Sequence, residues 1–103
     1  MIRHIVLIRF PAEVTEAAIA GMFAAIPRLA AVLTGVLTHA SGRSESPEKI
    51  ERGYLHGFTI DFASWADLQT YADHPDHKVF GGQLVAHAVG GIDGILVFDL
   101  DMG

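Results

Sequence analysis

The sequence has no cysteine, which excludes a disulfide scaffold, thiol catalysis and any thiolate-ligated zinc or iron–sulfur centre. Cations are scarce: 7 Lys+Arg stand against 12 Asp+Glu, a formal net charge of −5 with six neutral histidines. A nucleic-acid partner is therefore not expected, since such proteins displace counterions with clustered Lys and Arg. No apolar run reaches the ~20 residues of a membrane-spanning helix, so no membrane partner is expected either. Residues 1–10 alternate like a strand and do not read as a signal peptide. Nothing demands an oxidising compartment. The expectation is one cytoplasmic domain spanning residues 1–103, a length within the ~100–150 residues around which single domains cluster.

What the chain does have is apolar surface. Hydrophobic residues make up 50% and charged residues only 18%. A chain this short buries only about two-thirds of its unfolded surface, so it carries more apolar area than one protomer can hide. This is a first indication of oligomerisation.

The order of elements follows from punctuation and period. Residues 2–10 are β-branched and end at Pro11, which cannot donate into a ladder. In this strand Ile2, His4, Val6, Ile8 and Phe10 share a face. Thr15 is placed to cap a helix bearing Ile19, Met22, Phe23 and Ile26 at helical spacing, with Pro27 expected to kink or end it. A second strand follows over residues 36–41. Residues 42–53 form a polar, turn-forming loop that lacks both GxGxxG and P-loop patterns. The third strand, residues 54–62, has Tyr54, His56, Phe58, Ile60 and Phe62 on one face. Ser64-Trp65-Ala66-Asp67 resembles a capping box and opens a helix that should stop near His74-Pro75. Another helical stretch over residues 76–89 is interrupted by Gly81-Gly82, and residues 92–100 form the fourth strand.

The order β-α-β-β-α-β, with an extra helical segment before the last strand, is that of the ferredoxin-like α+β fold, in which helices cover one face of a four-stranded antiparallel sheet. The other face should be polar if it meets water. Here Ile5, Leu7, Leu55, Ile95 and Val97 are expected on it, opposite the rows of His4 and His56. A second copy related by two-fold symmetry would cover such a face, so the expected partner is the chain itself, as a homodimer packed sheet to sheet.

Two concentrations of protic groups carry the candidate chemistry. His4 and His56 lie in otherwise apolar rows of two strands that this fold makes adjacent and central, so both imidazoles are expected to project beneath the helices. Either alone would read as a buried imidazole satisfied by a hydrogen bond. The second concentration is Tyr71-Ala72-Asp73-His74-Pro75-Asp76-His77 at a helix break. His74, Asp73 and Asp76 suit a helix end, where histidine favours the negative pole and aspartate solvates the turn. His74 and His77 are three apart, but Pro75 interrupts the helix between them, so no metal site is expected. Trp65 reads as a helix-packing or dimer-rim residue, and the Gly81-Gly82 and Gly90-Gly91 pairs as packing and helix-stop positions.

Strand 1 with His4, the loop Gly42…Ser46, Tyr54-x-His56 and above all Tyr71-x-x-His74-Pro-x-His77-x-x-Phe80 resemble the stress-responsive A/B barrel (Dabb) family, over nearly the whole chain and in the same element order. The resemblance implies a dimeric α/β barrel made from two ferredoxin-like sheets. It also implies the chemistry of a family member that closes a linear tetraketide by aldol condensation without metal or cofactor. On that pattern Tyr71 and His77 are the catalytic pair, while His4, His56, Phe23 and Phe58 line the pocket. The chain departs from that member at Ile26, where a tyrosine closes the alkyl end, and at His39, where an aliphatic residue stands. Both positions are thereby implicated in substrate binding, in a pocket shorter, wetter or differently shaped and with a different substrate.

Two functions remain in view. One is a cofactor-free acid–base enzyme, a cyclase, isomerase or lyase acting on a small carbonyl compound: imidazole titrates near neutrality and suits a base, and a tyrosine hydroxyl can support oxyanion charge in a dry pocket. Asp76 or a backbone carbonyl is expected to fix the His77 tautomer. The other is a non-catalytic, stress-responsive binding or oligomeric protein, since the fold alone does not decide.

Overall fold

The computed structural model describes residues 1–103. The chain runs β1 (Ile2–Ile8), α1 (Glu16–Phe23), α2 (Ala25–Val32), β2 (Val36–Arg43), β3 (His56–Phe62), α3 (Trp65–Asp73), α4 (Pro75–His87) and β4 (Ile95–Asp101), with a 3-10 turn at Gly91–Gly94 leading into β4. The strands form one sheet in the order β2-β3-β1-β4. All three pairings are antiparallel, which makes the fold ferredoxin-like. No helix is long and apolar enough to cross a membrane.

Local signals place the helices. The Thr15 side chain accepts from the Ala18 amide at 3.1 Å and starts α1. The helix breaks at Ala24, earlier than Pro27 suggests. Restarting at Ala25 puts Pro27 in the first turn of α2, where an amide would have no intrahelical partner to lose. Ser64 caps α3 as expected, the Asp67 amide donating to its Oγ at 3.2 Å, but the return bond of a capping box is replaced: Asp67 Oδ2 accepts from the Ser64 hydroxyl at 2.9 Å, not from the Ser64 amide. His74 is extended, as the residue before a proline prefers, and Pro75 opens α4. Gly81-Gly82 do not interrupt α4, which runs through them for 13 residues.

The central strand β1 decides which side is inside. Ile2, His4, Val6 and Ile8 are buried beneath the helices, and Ile5 and Leu7 face the other way with Arg3. Buried residues from β3 and all four helices complete the core, with Phe62 and Ile8 fully inaccessible. On β4 the parity is opposite to that expected. Ile95, Val97 and Asp99 pair with Ile8, Val6 and His4 and so lie on the helix side, while Leu96, Phe98 and Leu100 join Ile5 and Leu7 on the open face. Leu55 precedes β3 and belongs to neither row. The open face is crossed by one ion pair. Arg3 grips Asp61 through Nε at 2.9 Å and Nη2 at 3.1 Å, and Thr38 Oγ1 donates to the same carboxylate at 2.7 Å. These partners, Arg3 first, hold the Asp61 carboxyl below its ordinary value.

Phe62→Ala, which empties a fully buried aromatic position, should cost about 3–5 kcal/mol, whereas Ser64→Ala, which removes one cap, should cost about 1 kcal/mol. Urea unfolding of both variants checks the ranking.

Candidate active site

The helices do not cover the sheet evenly. Val97 is 59% exposed although it shares its face with buried Val6 and His4. The space over β4, between β1 and the α3–α4 pair, is a cavity of about 630 Å³ open to solvent. Its wall is chiefly apolar, with Val6, Phe58, Leu68 and Phe80 among the lining side chains. Five polar residues share the wall: His4, Gln69, Tyr71, His77 and Asp99. Trp65 and Ile92, both largely exposed, belong to the same lining.

Tyr71 stands on the inward face of α3 and is 1% exposed. Its hydroxyl is shielded from water and has no hydrogen-bond partner. Burial raises its pKa far above the ordinary phenol value, so the proton stays on the oxygen. A buried donor left unpaired costs about 1–3 kcal/mol, and a ligand acceptor could recover that cost.

His77 follows the break at Pro75, and this turn folds it back against Tyr71, with ring centroids 4.3 Å apart. His77 Nδ1 lies 3.0 Å from the Ala72 carbonyl oxygen. A carbonyl can only accept, so Nδ1 carries a proton and the neutral ring keeps its lone pair on Nε2. The backbone, not Asp76, thus fixes the tautomer. Burial lowers the His77 pKa, outweighing that hydrogen bond, and His4, His74 and Lys78 add to the lowering. The result is a neutral imidazole able to accept a proton.

His4 lies on the sheet side of the same space, its ring 5.7 Å from that of Tyr71. Its Nδ1 is 2.6 Å from Asp99 Oδ1, across the β1–β4 ladder. Asp99 was not among the expected site residues. Its signal was an acid in an apolar strand, but the faces of that strand could not be told apart from hydrophobicity.

Tyr71, His77, His4 and Phe58 therefore meet at one cavity. The other expected pocket residues do not. His56 pairs with Ile8 at the far end of β1, whereas His4 pairs with Ile60. Four residues of strand separate the two imidazoles along the sheet, about 13 Å at the usual rise. His56 is held by Glu16, with Nε2 2.9 and 3.0 Å from the two carboxylate oxygens, and Arg43 Nη1 grips Glu16 at 2.7 Å. The hydrogen bonds from His56 and Arg43 lower the Glu16 pKa. His56, His39 and Phe23 border a separate depression of about 380 Å³ between α1 and the β2–β3 edge. Ile26 is 1% exposed in the packed core. No three His, Asp or Glu side chains are grouped so as to hold a metal ion.

A ferredoxin-like α+β protein with an acid–base cluster in an open cavity is the class this geometry defines. The chain belongs to the Stress responsive A/B Barrel Domain (Dabb) family, whose pattern matches residues 2–102. Among characterised proteins it is similar to olivetolic acid cyclase of Cannabis sativa, 28% identical over 80 residues, which cover 78% of this chain and 79% of that one. A dimeric ferredoxin-like protein of unknown function from Jannaschia sp. CCS1 shares 35% identity, with a TM-score of 0.91 and 98% of each chain covered. The hydroxynitrile lyase of Passiflora edulis shares the fold at 20% identity, with a TM-score of 0.83 over 99% of this chain and 93% of that one.

Because His77 is harder to protonate folded than unfolded, its contribution to stability is complete above the unfolded value of 6.5. That contribution is lost as pH falls from there toward the folded value. The urea midpoint of His77→Gln should therefore decline less between pH 7.5 and 5 than that of the parent, and NMR titration should place His77 below 6.5.

Proposed function

We propose that this protein binds a small carbonyl compound and acts on it by acid–base catalysis, in an aldol-type cyclisation or an isomerisation, with both proton movements assigned to side chains. The observation that carries this reading is the unpaired Tyr71 hydroxyl packed against a neutral His77 at the wall of a solvent-accessible cavity. His77 Nε2 takes the acidic proton beside the carbonyl, and Tyr71 donates to the oxygen on which enolate or alkoxide charge develops. A fully packed interior would have favoured a purely structural or binding role. The likeness to olivetolic acid cyclase supports the cyclase branch.

The protein is further proposed to work as a homodimer. Leu7, Leu96, Phe98 and Leu100 are 38%, 48%, 60% and 43% exposed on one sheet face, an apolar surface that a second copy would cover. The 35%-identical relative from Jannaschia sp. CCS1 is described as dimeric. A cytoplasmic setting accords with the cysteine-free sequence.

Against a panel of linear β-dicarbonyl and polyketide-type substrates, Tyr71→Phe and His77→Ala should each lower kcat by about 10²-fold or more while leaving the circular dichroism spectrum unchanged. Turnover at the parental rate in both variants would remove the acid–base assignment, and saturable binding without turnover in the parent would favour the binding role. In sedimentation velocity the parent should run as a dimer and Phe98→Asp as a monomer, because a carboxylate cannot be buried unpaired between two apolar sheets.

A further inference from the structure

None of the chain's 7 Lys+Arg lines the cavity, and its one acidic wall residue is Asp99. Arg3 is committed to Asp61 on the opposite sheet face, and Arg43 to Glu16. Asp99 itself is joined to His4 at 2.6 Å, with its side chain 28% exposed. The cavity's one carboxylate already has its partner in an imidazole of the same wall. Burial disfavours a positive charge on His77. The wall thus has a donor for an acceptor oxygen in Tyr71, and no Lys or Arg to neutralise a carboxylate, phosphate or sulfate.

We propose that the cavity selects an uncharged, mainly apolar molecule whose carbonyl oxygen docks on the Tyr71 hydroxyl, with Asp99 acting as the filter that rejects anions. This rests on the reading of the cavity as the ligand site and adds the charge class of the ligand. An anion entering the site loses hydration and meets a carboxylate on a wall that offers it no Lys or Arg. A ketone or ester loses little and satisfies a donor otherwise left unpaired. Asp99 has a second effect through His4: by accepting from Nδ1 it leaves Nε2 as the ring nitrogen free for a ligand.

The chain's one tryptophan, Trp65, belongs to the cavity lining and is 53% exposed, so its fluorescence reports occupancy. Methyl 4-acetylbenzoate and 4-acetylbenzoate form a matched neutral and anionic pair. Their titrations at pH 7.5 are corrected for absorbance and collisional quenching with N-acetyltryptophanamide. The ester should bind about tenfold or more tightly than the carboxylate. Asp99→Asn should narrow that ratio by about threefold or more, chiefly by improving carboxylate binding. Gly81→Leu serves as the occupancy control: a Cβ there meets nothing within 4 Å, and Gly81 lines the cavity, so both ligands should lose saturable quenching. Carboxylate binding as tight as that of the ester, or a ratio unmoved by Asp99→Asn, overturns the filter and leaves the Tyr71/His77 chemistry standing. Absence of saturable quenching by either ligand counts against the cavity as a carbonyl site and overturns both readings together.

Discussion

Strand β1 is bonded on both sides, to β3 and to β4, and its side-chain alternation sets the orientation of everything else. Ile2, Val6 and Ile8 go under the helices and carry His4 with them. The antiparallel register then brings Asp99 on β4 opposite His4 and leaves His56 opposite Ile8. A slip of one residue would send His4 to the open face with Leu7 and Leu96 and put Arg3 into the core. The hydrophobic fit of three aliphatic side chains therefore fixes the position of the imidazole. Polar contacts only refine it.

The site itself is held at low charge. Tyr71 keeps its proton because a phenolate would be stranded without solvent or a cation, and His77 sheds one because an imidazolium would meet the same desolvation. Burial thus moves the two groups in opposite directions on the pH scale, leaving a donor and an acceptor side by side at neutrality. Elsewhere the chain handles its charges differently: Glu16, His56 and Arg43 form one cluster and Arg3, Asp61 and Thr38 another, each with partners of its own. The cavity wall carries one such pair, His4 with Asp99, beside the one buried side-chain polar atom left without a partner, the Tyr71 hydroxyl.

The fold was legible because its punctuation is strong. Thr15, Ser64 with Asp67, and His74-Pro75 each mark a helix boundary through one identifiable hydrogen bond or steric restriction, and two strands, β1 and β3, carry one row that reads as core. Two things were not legible. Both rows of β4 carry apolar side chains, so hydrophobicity could not say which faces the helices, and Asp99 lies on the inner side. Knowing that β1 and β3 are neighbours also does not give their register. His4 and His56 occupy equivalent inward rows at opposite ends of the sheet, and only the pairing separates them. The Tyr71–His77 proximity was readable because it is local, six positions across one helix break. The His4–Asp99 contact spans nearly the full chain.

The interior is divided unequally. Under α1 and α2, Ile19, Phe23, Ile26 and Leu29 fill their share of the space, while over β4 the sheet is left partly bare. Much of the lining of the open half, including Trp65, Leu68, Gln69, Val85 and Val97, is only partly buried and stands outside the central packed cluster. Replacing such side chains changes the shape of the chamber without opening a void in the packed half. The scaffold can in this way vary the shape of its chamber at little thermodynamic risk, since many of the positions that line it are separate from those that keep the chain folded.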